Sequence, residues 1–273
     1  MYLRADHAEH HVPALRQFIQ NNPLGILTTA IPSPNHPLLQ CSHIPWVLDV
    51  DDPSSETELG HLRGHMARAN PHSKAMMEAL SDTPTGAKTQ NLEAGPKSHM
   101  QLQGEVMILF NGPAHHYVTP KFYVATKPAT GKVVPTWNYS AVQVYGTATV
   151  YFSPSNPATD AFLMKQLADL SQLAEVGIMD YSERPWSVAE APERYLELKR
   201  KGIMGIEVRV ERLEGKFKMS QDLGDGDRKG VVDGFEALGS EVGRIMSQTI
   251  KERAAIKEEM RRRKEKEAEA AQT

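Results

Sequence analysis

One stretch of the sequence, residues 133–152, constrains the fold more than any other. From Ala141 to Tyr151 the side chains alternate between two classes, and the segment is rich in β-branched and aromatic residues. A period of two in such a segment is typical of a half-buried β-strand. The alternation predicts one face made of Val142, Val144, Ala148 and Val150, and an opposite face made of Gln143, Tyr145, Thr147, Thr149 and Tyr151.

Two features of this stretch bear on what the strand contacts. Gly146 lies inside the strand, where a glycine usually marks a bulge or the close approach of another backbone or a ligand. Just upstream, Pro135 to Tyr139 predicts a stiff turn in which Trp137 and Tyr139 flank Asn138. The turn is either an aromatic anchor packed on the sheet or the lining of a pocket, and both interpretations stay open on this stretch alone.

Composition excludes several classes of protein. The chain has 273 residues, 40% hydrophobic and 24% charged, which suits a globular protein. Its net charge of −3 differs from the positive charge with which nucleic-acid binders neutralise phosphates, so direct DNA binding is not expected. The single cysteine, Cys41, excludes a disulfide framework and a cysteine-based zinc cluster. We expect no secretory signal and no membrane span, hence a cytoplasmic protein, with the nucleus as an alternative location.

The remaining periodicities predict an α+β chain. Helices are expected over 8–22, after an N-cap at Asn70, over 156–174 and 192–201, and through the tail from 227. Strands with short, mostly antiparallel connections predict a small closed β-sheet, that is, a β-barrel. The predicted strands cover residues 25–31, 38–49, 58–65, 105–110, 115–119, 141–152 and 204–210.

Other segments carry their own expectations. Residues 81–103 lack periodicity and predict an exposed, mobile insertion. The apolar run 105–110 predicts a strand buried on both faces. In the tail, a 3-4-3 apolar spacing predicts a docking helix that becomes solvated after Lys251. The residues of that spacing are Phe235, Leu238, Val242 and Ile245.

From these elements we expect a barrel domain over 1–220 and a helical segment over 221–273.

Histidines form the first candidate constellation. His61 and His65 are four residues apart on one predicted strand and share a face. His43 and His115 lie in neighbouring strands, so a metal or haem site is one hypothesis, against histidines that are internally satisfied. The three histidines near the start of the chain, His7, His10 and His11, are expected to be solvated.

Anion binding is the second hypothesis. Arg63, Arg68, Asn70, Ser73 and Lys74 cluster where a strand leads into a helix, and a helix N-terminus with flanking cations favours anions. The segment 216–221 combines lysines, an aromatic residue, Ser220 and Gln221 after the last strand. The sequence has no nucleophile elbow and no glycine-rich phosphate loop, so no catalytic residue is predicted.

Several blocks of the sequence together resemble the PaiB family, whose members are FMN-binding negative transcriptional regulators with the FMN-binding split-barrel fold. The blocks follow the family order from residue 1 to about 235, so the resemblance covers most of the chain. They are residues 64–71 (GHMARANP), 110–120 (FNGPAHHYVTP), 134–139 (VPTWNY) with 144–146 (VYG), and 201–205 (KGIMG) leading to 214–221 (EGKFKMSQ).

The resemblance implies a split β-barrel that forms a homodimer and binds FMN at the subunit interface. Two departures, the long 81–103 stretch and the extension at Gly131–Lys132, could reshape a pocket mouth. The function it implies is that of a flavin-dependent oxidoreductase or a ligand-sensing regulator. A haem-handling barrel using His43, His61, His65 and His115, and a regulator without cofactor, are the alternatives. Expected near the flavin are Arg63, His65, Asn70, Lys74, Trp137, Asn138, Lys216, Ser220 and Gln221.

Overall fold

The structure is a computed structural model that describes residues 1–81 and 100–270. Its strands are β1 (Ala8–Glu9), β2 (Leu24–Ala30), β3 (Leu39–Pro45), β4 (Val47–Asp49), β5 (His61–Ala67), β6 (Met100–Gln101), β7 (Val106–Asn111), β8 (His116–Val118), β9 (Thr136–Tyr151) and β10 (Ile203–Lys218). Its α-helices are α1 (Val12–Asn21), α2 (Pro71–Ser81), α3 (Thr126–Thr130), α4 (Pro157–Gln172), α5 (Glu193–Lys201), α6 (Asp225–Ala237) and α7 (Glu241–Ala270).

The described chain divides into two compact units. We call the first the terminal unit, because it contains Met1–His10, Asn111–Val142 and the chain from Glu214 onward. We call the second the sheet unit, which contains the described parts of His11–Phe110 and Gln143–Leu213. The expected boundary at residue 220 stays a prediction.

The sheet unit is built on one antiparallel sheet with strand order β3-β2-β7-β9-β10-β5-β4, and β6 pairs with β9. The sheet curls strongly. A Cβ atom on Gly64 of β5 would lie only 2.9 Å from the side chains of Ile44, on β3, and Trp46. Strands near opposite ends of the order therefore meet, which gives the α+β split-barrel class that the sequence predicts.

Strand β9 confirms the predicted alternation. Val144, Ala148 and Val150 are fully buried, while Gln143 and Tyr145 are half-buried. Gly146 lies on the buried face, and a Cβ atom there would overlap the backbone oxygen of Arg209. The glycine is thus required by the close approach of a neighbouring backbone, as expected for a glycine inside a strand.

In the terminal unit, strand pairing and a helical pair form a second small core. Strand β8 pairs with β9 (Val118 with Thr136), and β1 pairs with β10 (Ala8 with Lys216). Helices α6 and α7 contact each other, and Phe235 of α6 and Met246 of α7 are fully buried. Gly239 between them has φ of +61°, a left-handed conformation that ends the first helix.

Several predicted elements need correction. The predicted turn at Pro135–Tyr139 is wrong, because β9 already begins at Thr136. The segment 216–221 does not simply follow the last strand, since β10 continues to Lys218. Strand β7 is not buried on both faces, since its burial alternates. In each case hydrogen bonding to a neighbouring strand extends or orients a segment whose own pattern was ambiguous.

The tail and the insertion also differ from expectation. The helical tail is two helices, and Leu238 and Val242 are 47% and 38% exposed, so the predicted 3-4-3 stripe is not a buried seam. Met100–Gln101 of the predicted insertion forms strand β6, and Leu102 is buried. Residues 82–99 of that insertion lie outside the described residues. The single strand predicted over 38–49 is two strands, β3 and β4, and helix α1 begins only at Val12.

Candidate functional site

A cavity of about 360 Å³ lies in the terminal unit. Its walls come from the N-terminal segment, the segment leading into β9, and the loop that joins β10 to α6. The volume falls within the range of about 300–1,000 Å³ that is typical of small-molecule pockets. The lining residues are Arg4, His7, Tyr123, Thr126, Lys132, Val133, Val134, Pro135, Thr136, Asn138, Lys218, Ser220, Asp222, Leu223 and Asp227.

Two residues predicted from the sequence meet in this wall. Asn138 and Ser220 are buried, and the Asn138 side-chain amide Nδ2 donates a hydrogen bond of 2.9 Å to Ser220 Oγ. The other amide atom, Asn138 Oδ1, is buried and has no hydrogen-bond partner among the described residues. A buried acceptor without a donor is costly in a folded protein. Asn138 lines the cavity, so this acceptor is a polar atom of the wall that no donor among the described residues satisfies.

The loop that carries Ser220 is held in a strained shape. Ser220 has φ of +60°, a left-handed conformation that non-glycine residues rarely adopt. The buried side chain of Gln221 stabilises it, because its Oε1 accepts from the Met219 amide and its Nε2 donates to the Phe217 carbonyl oxygen, both at 2.6 Å. Such strained residues cluster at ligand sites. Gln221 thus supports the predicted segment without lining the cavity.

Charged side chains of both signs line the cavity. Lys218 Nζ donates to Thr136 Oγ1, and Lys218 has no ion pair among the described residues. Arg4 pairs with Asp222 at 3.2 Å, and His7 Nε2 lies 3.4 Å from another oxygen of that carboxylate. Lys218 and Lys132 are accordingly the lining cations that have no ion pair among the described residues.

The carboxylate of Asp227 binds backbone amides. Its carboxylate accepts hydrogen bonds from the amides of Ala125 (2.8 Å) and Thr126 (3.1 Å) at the start of α3. Burial alone would raise the pKa of Asp227, but the hydrogen bonds from Thr126 and Ala125 outweigh it and lower that pKa. Nearby, burial and the negative charges of Asp222 and Asp227 raise the pKa of the Tyr123 hydroxyl. Both groups therefore keep one protonation state near neutral pH.

Two other predicted residues of the terminal unit lie outside the lining. Trp137 is 49% exposed, and its Nε1 donates to His115 Nδ1 at 3.2 Å. Consecutive residues of a strand face opposite ways, so Trp137 cannot share a wall with Asn138. Lys216 is buried, donates to the Tyr2 carbonyl oxygen at 3.0 Å, and lies 5.5 Å from the centre of the Tyr139 ring.

The predicted residues of the sheet unit have other partners. Arg63 is buried, and its guanidinium binds Asp49 at 2.8 Å and Asp169 at 2.6 Å. The Asn70 carboxamide caps helix α2 by accepting from the His72 amide at 2.9 Å, as its predicted N-cap role requires. Lys74 is exposed on the first turn. A flavin role for Arg63, Asn70 and Lys74 stays a prediction.

The histidines do not form a metal cluster within the described ranges. No group of three His, Cys, Asp or Glu side chains that could hold a metal ion occurs among residues 1–81 and 100–270. His43 and His61 are exposed, whereas burial lowers the pKa of half-buried His65, whose Nδ1 has no hydrogen-bond partner among the described residues. The haem alternative gains no support from this arrangement.

Sequence reasoning missed most of the lining. The prediction that His7 is solvated is wrong, because only 4% of it is exposed; His10 and His11 are exposed as expected. His7 and Glu9 are both buried around strand β1, which is too short to give a pattern in the sequence. Lys218 lies within the predicted 216–221 segment and Lys132 within the predicted loop extension, whereas Arg4, Tyr123 and Asp222 carry no motif.

The fold defines an α+β split-barrel protein, and its terminal unit contains a cavity of small-molecule size. Comparison with known proteins gives the family. Residues 1–212 match the family model described as "Putative FMN-binding domain", so the chain belongs to this FMN-binding family. Within the described residues, no helix combines the length and the apolar character needed to cross a bilayer.

Related sequences span nearly the whole chain. An uncharacterized protein of Aspergillus fumigatus is 58% identical over 94% of this chain and 99% of its own length. The Bacillus subtilis protein "Protease synthase and sporulation protein PAI 2" is 24% identical over 85% of this chain and 86% of its own. Among solved structures, a conserved hypothetical protein of Mycobacterium tuberculosis is similar with a TM-score of 0.43 and 10% identity, covering 82% of this chain and 94% of its own.

Proposed function

We propose that this chain binds FMN in the cavity of the terminal unit and uses it as a flavin-dependent oxidoreductase. One observation carries the location. In a chain of an FMN-binding family, the buried Asn138 Oδ1 is an acceptor without a hydrogen-bond donor in a cavity wall. The isoalloxazine ring of a flavin has an imide N–H, which is a donor of the kind that this atom lacks.

The donor set of the cavity fits the rest of the cofactor. Lys218, half-buried and without an ion pair among the described residues, supplies positive charge for a phosphate, with exposed Lys132 beside it. Val133, Val134 and Pro135 supply an apolar wall of the kind on which a flat ring packs. The volume of about 360 Å³ is adequate for a ligand of moderate size.

The redox chemistry would come from the flavin, which when bound can accept and pass on a hydride or single electrons. The chain's own residues bind and orient it. Asn138 would fix the ring edge through its carboxamide, itself held by Ser220. Asp222 holds Arg4 and lies beside His7 at the cavity wall, so the phosphate would meet Lys218 and Lys132, which have no ion pair among the described residues.

Fluorescence titration tests the site. FMN and riboflavin differ by the phosphate, so we expect wild-type protein to bind FMN more tightly than riboflavin. Lys218→Met should weaken FMN binding about tenfold and leave riboflavin binding unchanged, because a charge-assisted hydrogen bond contributes roughly 1.5–3 kcal/mol. Lys229→Met, an exposed lysine of α6 paired with Asp233, is the matched control. Binding of neither flavin, or equal effects of both variants, would overturn the proposal.

A ligand-sensing regulator is the second candidate. The Bacillus subtilis relative carries a name that refers to protease synthesis and sporulation, which favours a regulatory role. A net charge of −3 makes direct DNA reading the less favoured route, so regulation would act through a partner. Anaerobic mixing with NADH or NADPH separates the two: bleaching of the flavin absorption supports the oxidoreductase, whereas a flavin that binds and is never reduced favours the sensor.

We also infer a homodimer, as the family resemblance implies. The exposed side chains of Trp137 and Tyr117, whose rings are 6.2 Å apart, support an interface on the outer face of β8 and β9. Light scattering after gel filtration should give twice the mass of one chain. A Trp137→Ala variant that remains dimeric would exclude this face from the interface.

A further inference from the structure

Helix α7 holds two walls of the cavity from outside it. The ammonium group of Lys257 donates to Asp6 Oδ1 at 2.8 Å and to the backbone oxygen of Gln221 at 2.7 Å. Asp6 lies in the N-terminal segment between the lining residues Arg4 and His7. Gln221 lies between the lining residues Ser220 and Asp222. One side chain therefore joins the two walls.

A second contact one turn earlier fixes the same helix. Arg253 pairs with Glu9 of β1 at 2.6 Å, and its guanidinium lies 3.3 Å from the centre of the Phe217 ring on β10. Both charged side chains of this pair are mostly buried, 12% and 8% exposed. Arg253 thus anchors α7 on the pair β1–β10, and Lys257 extends from that anchor to the two walls.

The helix itself forms no part of the lining. Within the part of the chain that the structure describes, α7 contributes no lining residue of this cavity. The helix also begins beyond residue 212, where the match to the FMN-binding family model ends. Like the Ser220 loop, it lies outside the segment that matches the family model, and its Lys257 contacts the N-terminal segment and the Ser220 loop.

The solvent exposure of the Lys257–Asp6 contact limits how much it stabilises the fold. The side chains of Lys257 and Asp6 are 47% and 32% exposed, and exposed ion pairs stabilise proteins by only about 0–1 kcal/mol. The hydrogen bond from Lys257 is the main cause that lowers the pKa of Asp6. Its removal should leave the fold intact and loosen the relative position of the two walls.

We propose that Lys257 is a positioning residue for the cavity, which sets the spacing between the N-terminal segment and the Ser220 loop and so sets flavin affinity. The proposal rests on the proposed function, because it names FMN as the ligand of this cavity. It predicts that a residue with no contact to the ligand controls binding through the walls that it joins.

The test compares three variants of the full chain: Lys257→Met, Lys257→Arg and Lys251→Met. Lys251 lies on the same helix in an exposed pair with Glu236, so Lys251→Met is the matched control. We expect Lys257→Met to weaken FMN binding about threefold to fivefold, with the melting temperature nearly unchanged. Lys257→Arg should restore most of the affinity, and Lys251→Met should bind as wild type.

A second readout needs no flavin. Trypsin cleaves after Arg4, so release of residues 1–4 reports how firmly the N-terminal segment is held. Cleavage should be faster in Lys257→Met than in Lys251→Met, and FMN should slow it in both. If wild-type protein does not bind FMN, the proposed function fails, while faster cleavage in Lys257→Met still supports the positioning role. Equal cleavage rates with equal FMN affinities, or a large fall in melting temperature without loss of affinity, would overturn it.

Discussion

Asn138 and Ser220 are 82 residues apart in the chain and share a buried hydrogen bond of 2.9 Å. Asn138 lies on β9, and Ser220 lies two residues beyond the end of β10. The contact satisfies the amide donor and leaves the amide acceptor without a partner among the described residues. A carboxamide used in this half-satisfied way destabilises the folded protein, which is the pattern expected of a residue retained for binding.

Asn138→Leu should separate binding from stability. Leucine has the branched shape of asparagine but a larger volume. It removes the unpaired acceptor and also leaves the buried Ser220 Oγ without its donor, so we expect the free energy of unfolding to fall by about 1–3 kcal/mol. FMN affinity should fall at least about tenfold, because a hydrogen-bond partner of the ring is lost. Urea denaturation and flavin titration measure the two effects.

Ser140→Ala is the control for that variant, since Ser140 is buried on the same face of β9 but does not line the cavity. It should bind FMN as the wild type does. An Asn138→Leu protein that loses several kcal/mol of stability and keeps its FMN affinity would show that Asn138 is purely structural.

The left-handed conformation of Ser220 predicts an unusual order of stabilities. Both Ser220→Ala and Ser220→Gly leave Asn138 Nδ2 without its acceptor, which costs about 1–3 kcal/mol. Glycine also relieves the left-handed strain of about 1–2 kcal/mol, so we expect Ser220→Gly to be more stable than Ser220→Ala by about 1 kcal/mol. Urea denaturation of the two variants measures this difference.

Asp180 provides the comparison for the backbone effect alone. It has φ of 58° and is exposed, so Asp180→Gly should exceed Asp180→Ala in stability by a similar amount. The prediction is wrong if Ser220→Ala is more stable than Ser220→Gly while Asp180→Gly is more stable than Asp180→Ala. That result would mean that the backbone of Ser220 is not strained.

Periodicity predicted the central parts of β9 and β10, but not the ends of these strands, which carry the lining residues Thr136, Asn138 and Lys218. The alternation through β9 identified its buried face because a strand with one buried face repeats every two residues. The same rule separates Trp137 from Asn138 once the strand is known to begin at Thr136. Interpreting Pro135–Tyr139 as a turn instead allowed both residues into one pocket, and only strand pairing with β8 resolves this.

The missed residues depend on contacts that are distant in sequence. His7 enters the wall because β1 pairs with the end of β10, at Ala8 and Lys216, and a two-residue strand has no pattern of its own. Lys257 contacts Gln221 across 36 residues of chain, with α6 packed on α7 between them in the sequence. Local propensity specifies neither pairing, because both arise from tertiary packing.

Burial of His72 predicts a dependence of stability on pH. His72 hydrogen-bonds to Thr29 at 2.8 Å and to Ser42 at 2.9 Å, and burial lowers its pKa from 6.5 to about 4. Because the unfolded chain takes up this proton first as the pH falls, stability should decrease between about pH 6.5 and pH 4. Above pH 6.5 both states hold neutral histidine, and this contribution becomes constant.

His72→Gln should remove that part of the slope. The variant is expected to be less stable than wild type at pH 7, because the packing and hydrogen bonds of the ring are lost, and the difference should narrow as the pH approaches 4. Urea denaturation at four pH values measures it, with His61→Gln on exposed His61 as the control. A difference that stays constant with pH would show that His72 does not titrate as its burial predicts.

Gly146→Ala tests the close approach of β9 and β10. The added Cβ atom would overlap the backbone oxygen of Arg209, and backbone cannot move aside as a flexible side chain can. Overpacking of this kind costs about 1–3 kcal/mol of stability, and we expect the upper end because the two strands are central in the sheet.

Gly177→Ala is the matched control for Gly146→Ala. Its Cβ atom would lie 3.7 Å from Leu173 in a helical turn, so it should stabilise the protein by about 0.5–1 kcal/mol. Equal effects of the two substitutions on the urea midpoint would mean that β9 and β10 are not as close at Gly146 as described.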